Sequence, residues 1–452
     1  MALRMTAVAK SLPAIPGLPA RKTAARLLAA VVDAKTSLDG LTDNDHGHPQ
    51  YMELDARDRA LVRAILATAL RYRVTIEALI QRRLERPLPQ NARSLSHILH
   101  VAAAQMLFLD IPDSAAVDLA VSHAKSDPRT QRFAALVNGV LRALGRVKAR
   151  ALPAALAASV DAPDWLRDRL VSAYGEDKAR AILTMHRLEA PVDFTARGDP
   201  SAWAERLGGV VLPTGSIRLE RLAGPVGAMP GYDEGAWWVQ DAAAALPARL
   251  LGDVAGQHVA DLCAAPGGKT AQLIAAGARV TALDKSRNRL KRLASNLDRL
   301  GMQAEIVEAD IAAWQPAVLF DAVLLDAPCS STGTVRRHPD VPWTKSLADI
   351  DKLAKVQRAL LDAAVRLVKP GGRIVFSNCS LDPLEGEELH AAFLASSPDI
   401  ADDPVMPGEI PVADAFITSS GAVRTTPADM QMATPALSGM DGFFAARMRR
   451  RT

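Results

Sequence analysis

From residue 236 onward, short apolar runs alternate with amphipathic stretches, and this alternation limits the possible folds more than any other feature of the chain. Val259–Cys263, Val280–Leu283, Ala304–Val307, Ala322–Leu325 and Arg373–Phe376 have the length and apolar content of buried strands. A helix from about Lys269, a helix over Ser286–Leu300 and a long amphipathic helix over Leu347–Leu367 fall between them. The last is stopped by Lys369-Pro370-Gly371-Gly372. Strands alternating with helices predict an α/β fold with a doubly wound, mostly parallel sheet. In such sheets, ligands and chemistry gather outside the C-terminal ends of the strands.

Three strand ends carry unusual loops. The first is Asp261-Leu262-Cys263-Ala264-Ala265-Pro266-Gly267-Gly268-Lys269-Thr270. Its glycines let a ligand approach the backbone, and the helix that follows offers free N–H groups. It is neither G-x-G-x-x-G nor a Walker loop. Asp284 ends the second strand, 23 residues after Asp261, where a carboxylate suits the two hydroxyls of a ribose. Asp310 ends the third, where it can accept from an adenine amino group. With no phosphate-binding set, the pattern fits a nucleoside cofactor without phosphates, such as S-adenosylmethionine. The plainer account is three aspartates that cap and turn; three after consecutive strands, beside a glycine loop, are harder to dismiss than one.

The other two loops are Asp326-Ala327-Pro328-Cys329 and Ser377-Asn378-Cys379-Ser380, each with a cysteine just past its strand. The chain has three cysteines, too few for a disulfide framework, which points to a reducing, cytoplasmic setting. A lone buried cysteine is usually a small hydrophobe, and Cys263, read as part of a strand, fits that account. Cys329 and Cys379 have polar neighbours instead. A metal site needs about four ligands at motif spacing, and only His338 is near, so no metal is expected. Two thiols do suit methyl transfer to carbon 5 of a pyrimidine. A thiolate adding to carbon 6 makes carbon 5 nucleophilic, and a second group then helps to remove the carbon 5 proton. The nucleophilic thiol, with an ordinary pKa of about 8.5, needs a positive neighbour; Lys269 is the candidate.

Residues 20–150 are expected to form an all-α domain, with apolar faces such as Ala24, Leu27, Leu28, Val31 and Val32, and Asp55 or Asp58 capping the helix over Ala60–Leu70. Residues 1–150 hold 22 Lys and Arg against 13 Asp and Glu. That excess suits either a solvated helical surface or a nucleic-acid-binding module. Residues 151–235 are mixed, with helices over Trp165–Tyr174 and Asp177–His186, strand-like runs after Pro191, and a Gly- and Pro-rich stretch over 224–235 that reads as a linker. Residues 236–450 form the α/β domain. No run of about 18 apolar residues occurs. The first 19 residues lack acids, but Pro13, Pro16 and Pro19 break any signal-peptide core, so a frayed start is expected.

Phe133-Ala134-Ala135-Leu136-Val137-Asn138-Gly139-Val140-Leu141-Arg142 and the Arg59-to-Tyr72 helix resemble the NusB-like RNA-binding fold. With Asp261–Thr270, Asp326-Ala327-Pro328-Cys329-Ser330, Arg336-Arg337-His338-Pro339-Asp340, Asn378-Cys379-Ser380 followed by Glu385-Gly386-Glu387, and Asp441-Gly442-Phe443-Phe444, nearly the whole chain resembles the RsmB-type (Sun family) RNA 5-methylcytosine methyltransferases. The resemblance implies a Rossmann-like S-adenosylmethionine methyltransferase domain preceded by a NusB-like domain and a small RNA-contacting middle domain. It implies a monomer acting on small-subunit ribosomal RNA. Cofactor-binding residues would be Cys263, Ala264, Ala265, Pro266, Gly267, Gly268, Lys269, Asp284, Asp310 and Asp326. Cys379 would be the nucleophile and Cys329 would assist release, with Asp326 and Lys269 touching the target cytosine. Two residues depart from the pattern: Ser331, where many relatives have Gly, and Asn378, where Thr is usual. A DNA cytosine methyltransferase using Cys329 as nucleophile, a transfer-RNA cytosine-5 methyltransferase and a non-catalytic RNA-binding factor are the alternatives.

Overall fold

The computed structural model describes residues 15–89, 91–222, 224–410 and 412–452. The expected frayed start lies outside the described residues as far as residue 14. Beyond it, Leu18 already begins a helix, with Pro19 in the first turn, where its missing N–H costs nothing.

The chain divides into two compact units. One comprises the described residues up to Pro163 together with His338–Thr344; the other comprises Asp164–Arg337 and Lys345–Thr452. The first is helical. Helices Leu18–Val32, Ala56–Arg71, Arg73–Gln81, Arg93–Phe108, Asp113–Ser126 and Ala134–Ala158 surround one apolar core. Asp55 caps the second of these, its carboxylate accepting the Asp58 N–H at 2.7 Å. Helix Arg93–Phe108 is buried on nearly every face, from Leu95 through Met106, as a helix apolar all round must be. The segment His338–Thr344 belongs to this unit through side chains: Asp340 accepts the Leu38 N–H at 3.0 Å, and the Trp343 indole donates to the Leu70 carbonyl at 3.0 Å.

The second unit starts with helix Asp164–His186, which breaks at Gly175, where φ is +76°. Strands β1 (Val192–Ala196), β2 (Val210–Val211), β3 (Ile217–Leu219) and β4 (Trp237–Val239) form an antiparallel sheet in the order β2-β3-β1-β4. Trp237 pairs with Ala196 of β1, so the 224–235 stretch closes this sheet and is a loop within it, not a linker.

The large sheet contains β5 (His258–Leu262), β6 (Arg279–Asp284), β7 (Glu305–Glu308), β8 (Phe320–Asp326), β9 (Val368–Asn378), β10 (Ile400–Asp402), β11 (Val423–Thr425) and β12 (Phe443–Arg450). Its order is β10-β12-β9-β8-β5-β6-β7, with β11 beside β12. Strands β9, β8, β5, β6 and β7 are parallel, and β12 runs antiparallel to β9. This is the expected doubly wound α/β architecture, and the order reverses beside β5. Helix Leu347–Leu367 has the expected bounds. The Pro-Gly-Gly that stops it is absorbed into β9, where the register shifts between Phe320 and Ala322 and Gly371 takes φ +78°.

One buried ion pair joins the small sheet to the C-terminal segment. Arg218 grips Asp193 through Nε at 2.6 Å and a terminal nitrogen at 2.7 Å, both side chains fully shielded from solvent. The other terminal nitrogen donates to the carbonyls of Leu437 and Gly439, and Asp193 also accepts the Ala242 N–H at 3.0 Å. Every polar atom of the pair is engaged, so removing one partner strands a buried charge. Arg218→Met should therefore cost this unit ~3–5 kcal/mol in urea unfolding; a loss below ~1 kcal/mol would show that the pair is not shielded as described.

Candidate active site

The glycine loop leaves β5 at Leu262. Cys263 follows in the left-handed region, φ +61°, outside the strand expected to contain it. Gly267 has φ +104°, a conformation that favours glycine, and a Cβ there would also press on the Leu293 Cγ at 3.1 Å. Helix Gly268–Ala275 then begins with no side-chain cap, leaving N–H groups of its first turn free. Asn296 fixes the loop from outside by donating to the Pro266 carbonyl at 2.9 Å, and Arg289 does so at the Ala265 carbonyl.

Asp284 is the last residue of β6. One oxygen accepts the Ser286 N–H at 3.0 Å. The other lies 3.1 Å from the Arg289 guanidinium, yet it is buried without an aligned hydrogen bond. Asp310 stands two residues beyond β7 rather than at its end, and caps the Ala312 N–H at 2.9 Å. Asp261 is fully buried. Its Oδ2 accepts the Thr270 hydroxyl at 2.6 Å, and its Oδ1 has no hydrogen-bond partner among the described residues. A cavity of 410 Å³ is lined by Cys263, Asp284, Asp310, Asp326, Cys329 and Cys379 among others. Unsatisfied acceptor oxygens, free helix N–H groups and a glycine cradle at one sheet edge fit a nucleoside bearing hydroxyl and amino groups and an amino-acid tail. The remaining loop residues, Ala264 through Lys269, line an adjoining cavity of 440 Å³ that shares Asp326 as a wall.

Strands β8 and β9 bring the thiols together. Asp326 pairs with Ser377 in register, and the Sγ atoms of Cys329 and Cys379 lie 3.4 Å apart. Lys269 donates to Asp326 Oδ2 at 2.7 Å and sits 4.9 Å over the Phe443 ring, while the Ser377 hydroxyl holds Asp326 Oδ1 at 2.9 Å. All four residues expected to carry the chemistry, Cys379, Cys329, Asp326 and Lys269, thus lie at the ends of neighbouring strands and the first turn of one helix. The thiols differ in their surroundings. The Cys329 hydrogen bond lowers the Cys379 pKa against the opposing effect of burial, assisted by Ser331 and Lys269. The same hydrogen bond raises that of Cys329 well above its ordinary value, assisted by burial, by the Cys379 charge and by Glu385. Burial, joined by the carboxylates of Asp284 and Asp326, pushes Cys263 up to about 12, so it is an inert wall of the cavity.

The structure gives roles to residues that the sequence marks without explaining. Ser331 has φ +60°, which explains a preference for glycine there; as serine it brings a hydroxyl 3.5 Å from Cys379 Sγ. That hydroxyl accepts from the thiol and can rotate to donate to the thiolate. Asn378 serves the backbone: its side chain accepts the Ser380 N–H at 2.9 Å and donates to the Glu385 carbonyl at 2.6 Å. Gly333 and Gly442 meet back to back; a Cβ on Gly442 would lie 2.9 Å from the Gly333 Cα and 2.4 Å from Leu381 Cδ2, which accounts for the glycine of Asp441-Gly442-Phe443-Phe444.

This fold, with its glycine loop and strand-end carboxylates, defines an S-adenosylmethionine-dependent methyltransferase. Residues 248–449 match the family model described as 16S rRNA methyltransferase RsmB/F, and residues 18–146 match the NusB family. The chain is 36% identical over 453 residues to ribosomal RNA small subunit methyltransferase B of Sodalis glossinidius, covering 96% of this chain and 98% of that one. It is 38% identical over 450 residues to the protein of the same name from Xylella fastidiosa, with the same coverage. Among solved structures, PH0851 superposes with a TM-score of 0.67 at 22% identity, covering 97% of this chain and 100% of that one, a likeness of fold. The chain belongs to the RsmB/F family of 16S rRNA methyltransferases.

Burial pushes the Asp261 carboxyl up to about 7, against the Thr270 hydroxyl and Lys269, with Asp326 and Asp284 raising it further. An unfolded aspartate titrates near about 3.9. The folded chain therefore holds this proton more tightly, and the associated stability is fully present below about pH 4 and lost as the pH rises through about 7. Asp261→Asn should remove that loss. The melting temperature of the variant minus that of the native protein, both without cofactor, should rise between about pH 5 and about pH 8; a difference independent of pH would place the Asp261 pKa below that range.

Proposed function

We propose that this chain methylates carbon 5 of a cytosine in 16S ribosomal RNA through a covalent adduct between Cys379 and carbon 6. The contact between two thiols on adjacent strand ends, one set up as an anion and the other as its proton donor, carries the reading. Family membership supplies the RNA class. A three-part division into a NusB-like domain, a middle domain and a methyltransferase domain is proposed on the same basis, with the boundary expected at 235 moved past β4, which belongs to the small sheet, and with the first two domains contacting RNA.

Residues 263 to 269 of the loop, Cys263, Ala264, Ala265, Pro266, Gly267, Gly268 and Lys269, would hold the cofactor together with Asp284, Asp310 and Asp326. S-adenosylmethionine bound there supplies an electrophilic methyl group. The Cys379 thiolate adds to carbon 6 and leaves carbon 5 electron-rich. Lys269 and Asp326, held as a pair beside it, orient the base through its polar edge. Once Cys379 is bonded to carbon, its negative charge is gone, and the Cys329 pKa falls. Cys329 then releases its thiol proton to solvent, and the resulting thiolate is the group at hand to take the carbon 5 proton. Loss of that proton re-forms the ring double bond and expels Cys379 as a thiolate.

The two thiols should separate on mutation. Cys379→Ala should abolish methylation and form no covalent species with RNA. Cys329→Ala should form the adduct and fail to resolve it, so a protein–RNA species accumulates and survives denaturing electrophoresis. Trapping in Cys379→Ala alone would reverse the roles and favour the mechanism of a Pro-Cys DNA methyltransferase.

A further inference from the structure

Glu385 lies directly beneath the thiol pair, fully shielded from solvent, on the 3-10 turn Pro383–Glu385. It touches neither the cavity nor the reacting sulfurs. Its carboxylate faces donors throughout. Oε1 accepts the Ser330 N–H at 2.9 Å and the Gln357 side-chain N–H at 2.8 Å, and Oε2 accepts the Ser330 hydroxyl. Burial raises the Glu385 pKa above its ordinary value, opposed by these hydrogen bonds, which favour the ionised form. The Ser330 hydroxyl also lies 3.1 Å from that of Ser380, and Thr332 sits 3.2 Å from the same Ser380 hydroxyl. Ser330 follows Cys329 and Ser380 follows Cys379, so one carboxylate anchors the residue after each thiol. The same Gln357 nitrogen reaches the Pro328 carbonyl at 3.0 Å, just before Cys329. The Arg424 guanidinium is committed to Glu387 at 2.7 and 2.9 Å and to the Ser380 carbonyl at 2.5 Å.

This arrangement is asymmetric. The Glu385 carboxylate binds the backbone next to Cys329 directly but reaches the Cys379 loop only through hydroxyls; the Asn378 side chain meets the Glu385 main-chain carbonyl, not the carboxylate. On the Cys379 side stands the Lys269 ammonium, itself paired with Asp326. A negative charge against one thiol and a positive charge beside the other break the tie over which sulfur keeps the shared proton. We infer that Glu385 is a positioning residue that fixes the division of labour between the thiols, keeping the proton on Cys329 and the charge on Cys379. Its effect on Cys329 is in the direction that burial and the Cys379 charge already set. The inference rests on the proposed function only for its catalytic meaning; the location of the charge is a property of the free protein.

The test reads that location without methyl transfer. The full chain is alkylated with limiting iodoacetamide near neutral pH, and peptide mass spectrometry gives the ratio of labelled Cys379 to labelled Cys329. Both thiols are partly exposed, so both can react. The native protein should label Cys379 in preference. In Glu385→Gln the ratio should fall on the order of tenfold, equivalent to about one unit of relative pKa, and Glu385→Asp should restore it towards the native value. A merely structural role would change total labelling or melting temperature and leave the ratio alone. A folded Glu385→Gln protein with the native ratio would overturn the inference, as would equal labelling, or a preference for Cys329, in the native protein. Should Glu385→Gln not fold, Glu385→Asp decides: a retained Cys379 preference supports the role and equal labelling contradicts it. If Cys379 holds its preference and no 5-methylcytosine forms, the proposed function fails while the role of Glu385 stands.

Discussion

The in-register pairing of β8 with β9 is the constraint on which the site depends. Leu325 lies opposite Phe376 and Asp326 opposite Ser377, and Ala327 continues the pairing by donating its N–H to the Ser377 carbonyl at 2.8 Å. Adjacent parallel strands sit about 4.8 Å apart. Loops leaving them at the same level therefore deliver Cys329 and Cys379 to contact distance, and no long-range search is needed to bring them together. A slip of one residue would turn every side chain of a strand to the opposite face. The apolar residues of both strands are buried, Ala322 to Leu325 in one and Ile374 to Phe376 in the other, so the core itself locks the register that places the thiols.

Electrostatics then divides two chemically identical groups. Ionising both thiols at 3.4 Å would place like charges in contact in a partly dry site, so the pair loses its first proton as a unit. Which sulfur holds the charge is decided by neighbours: Lys269 and Ser331 near Cys379, Glu385 behind Cys329. Burial works against both anions and makes the hydrogen bond between them the dominant influence. Lys269 is held by Asp326 at the same edge, and Asp261 keeps its proton to an unusually high pH because it is buried, with Asp326 and Asp284 adding to the effect.

Much of this was legible in the sequence because it is local. Alternating apolar runs give the sheet, the glycine loop gives a cavity wall, and the aspartates and cysteines sit within a residue or two of where strand-end reasoning puts them. Helix Leu347–Leu367 could be read to the residue, because its amphipathic stripe ends at a Pro-Gly-Gly stop. The rest depends on contacts between residues far apart in the chain. Nothing in Gln357 distinguishes it from another polar residue on a helix, and Glu385 stands in the sequence only as part of a motif, without a role until the turn buries it against Ser330. The 224–235 stretch has the composition of a linker, but tertiary pairing of Trp237 with β1 makes it a loop. Cys263 looks like a strand residue by its apolar neighbours, whereas the turn into the glycine loop takes it into the left-handed region.

The central claim is that the Cys379 sulfur forms a bond to the cytosine ring during methylation. Small-subunit RNA carrying 5-fluorocytosine tests it directly, because fluorine on carbon 5 cannot leave as a proton does and the adduct cannot resolve. Incubated with the native protein and S-adenosylmethionine, this RNA should give a stable covalent complex, and digestion followed by mass spectrometry should place the nucleotide on the peptide containing Cys379. Attachment to Cys329, or no covalent complex with the fluorinated RNA when unsubstituted RNA is methylated under the same conditions, would contradict the account.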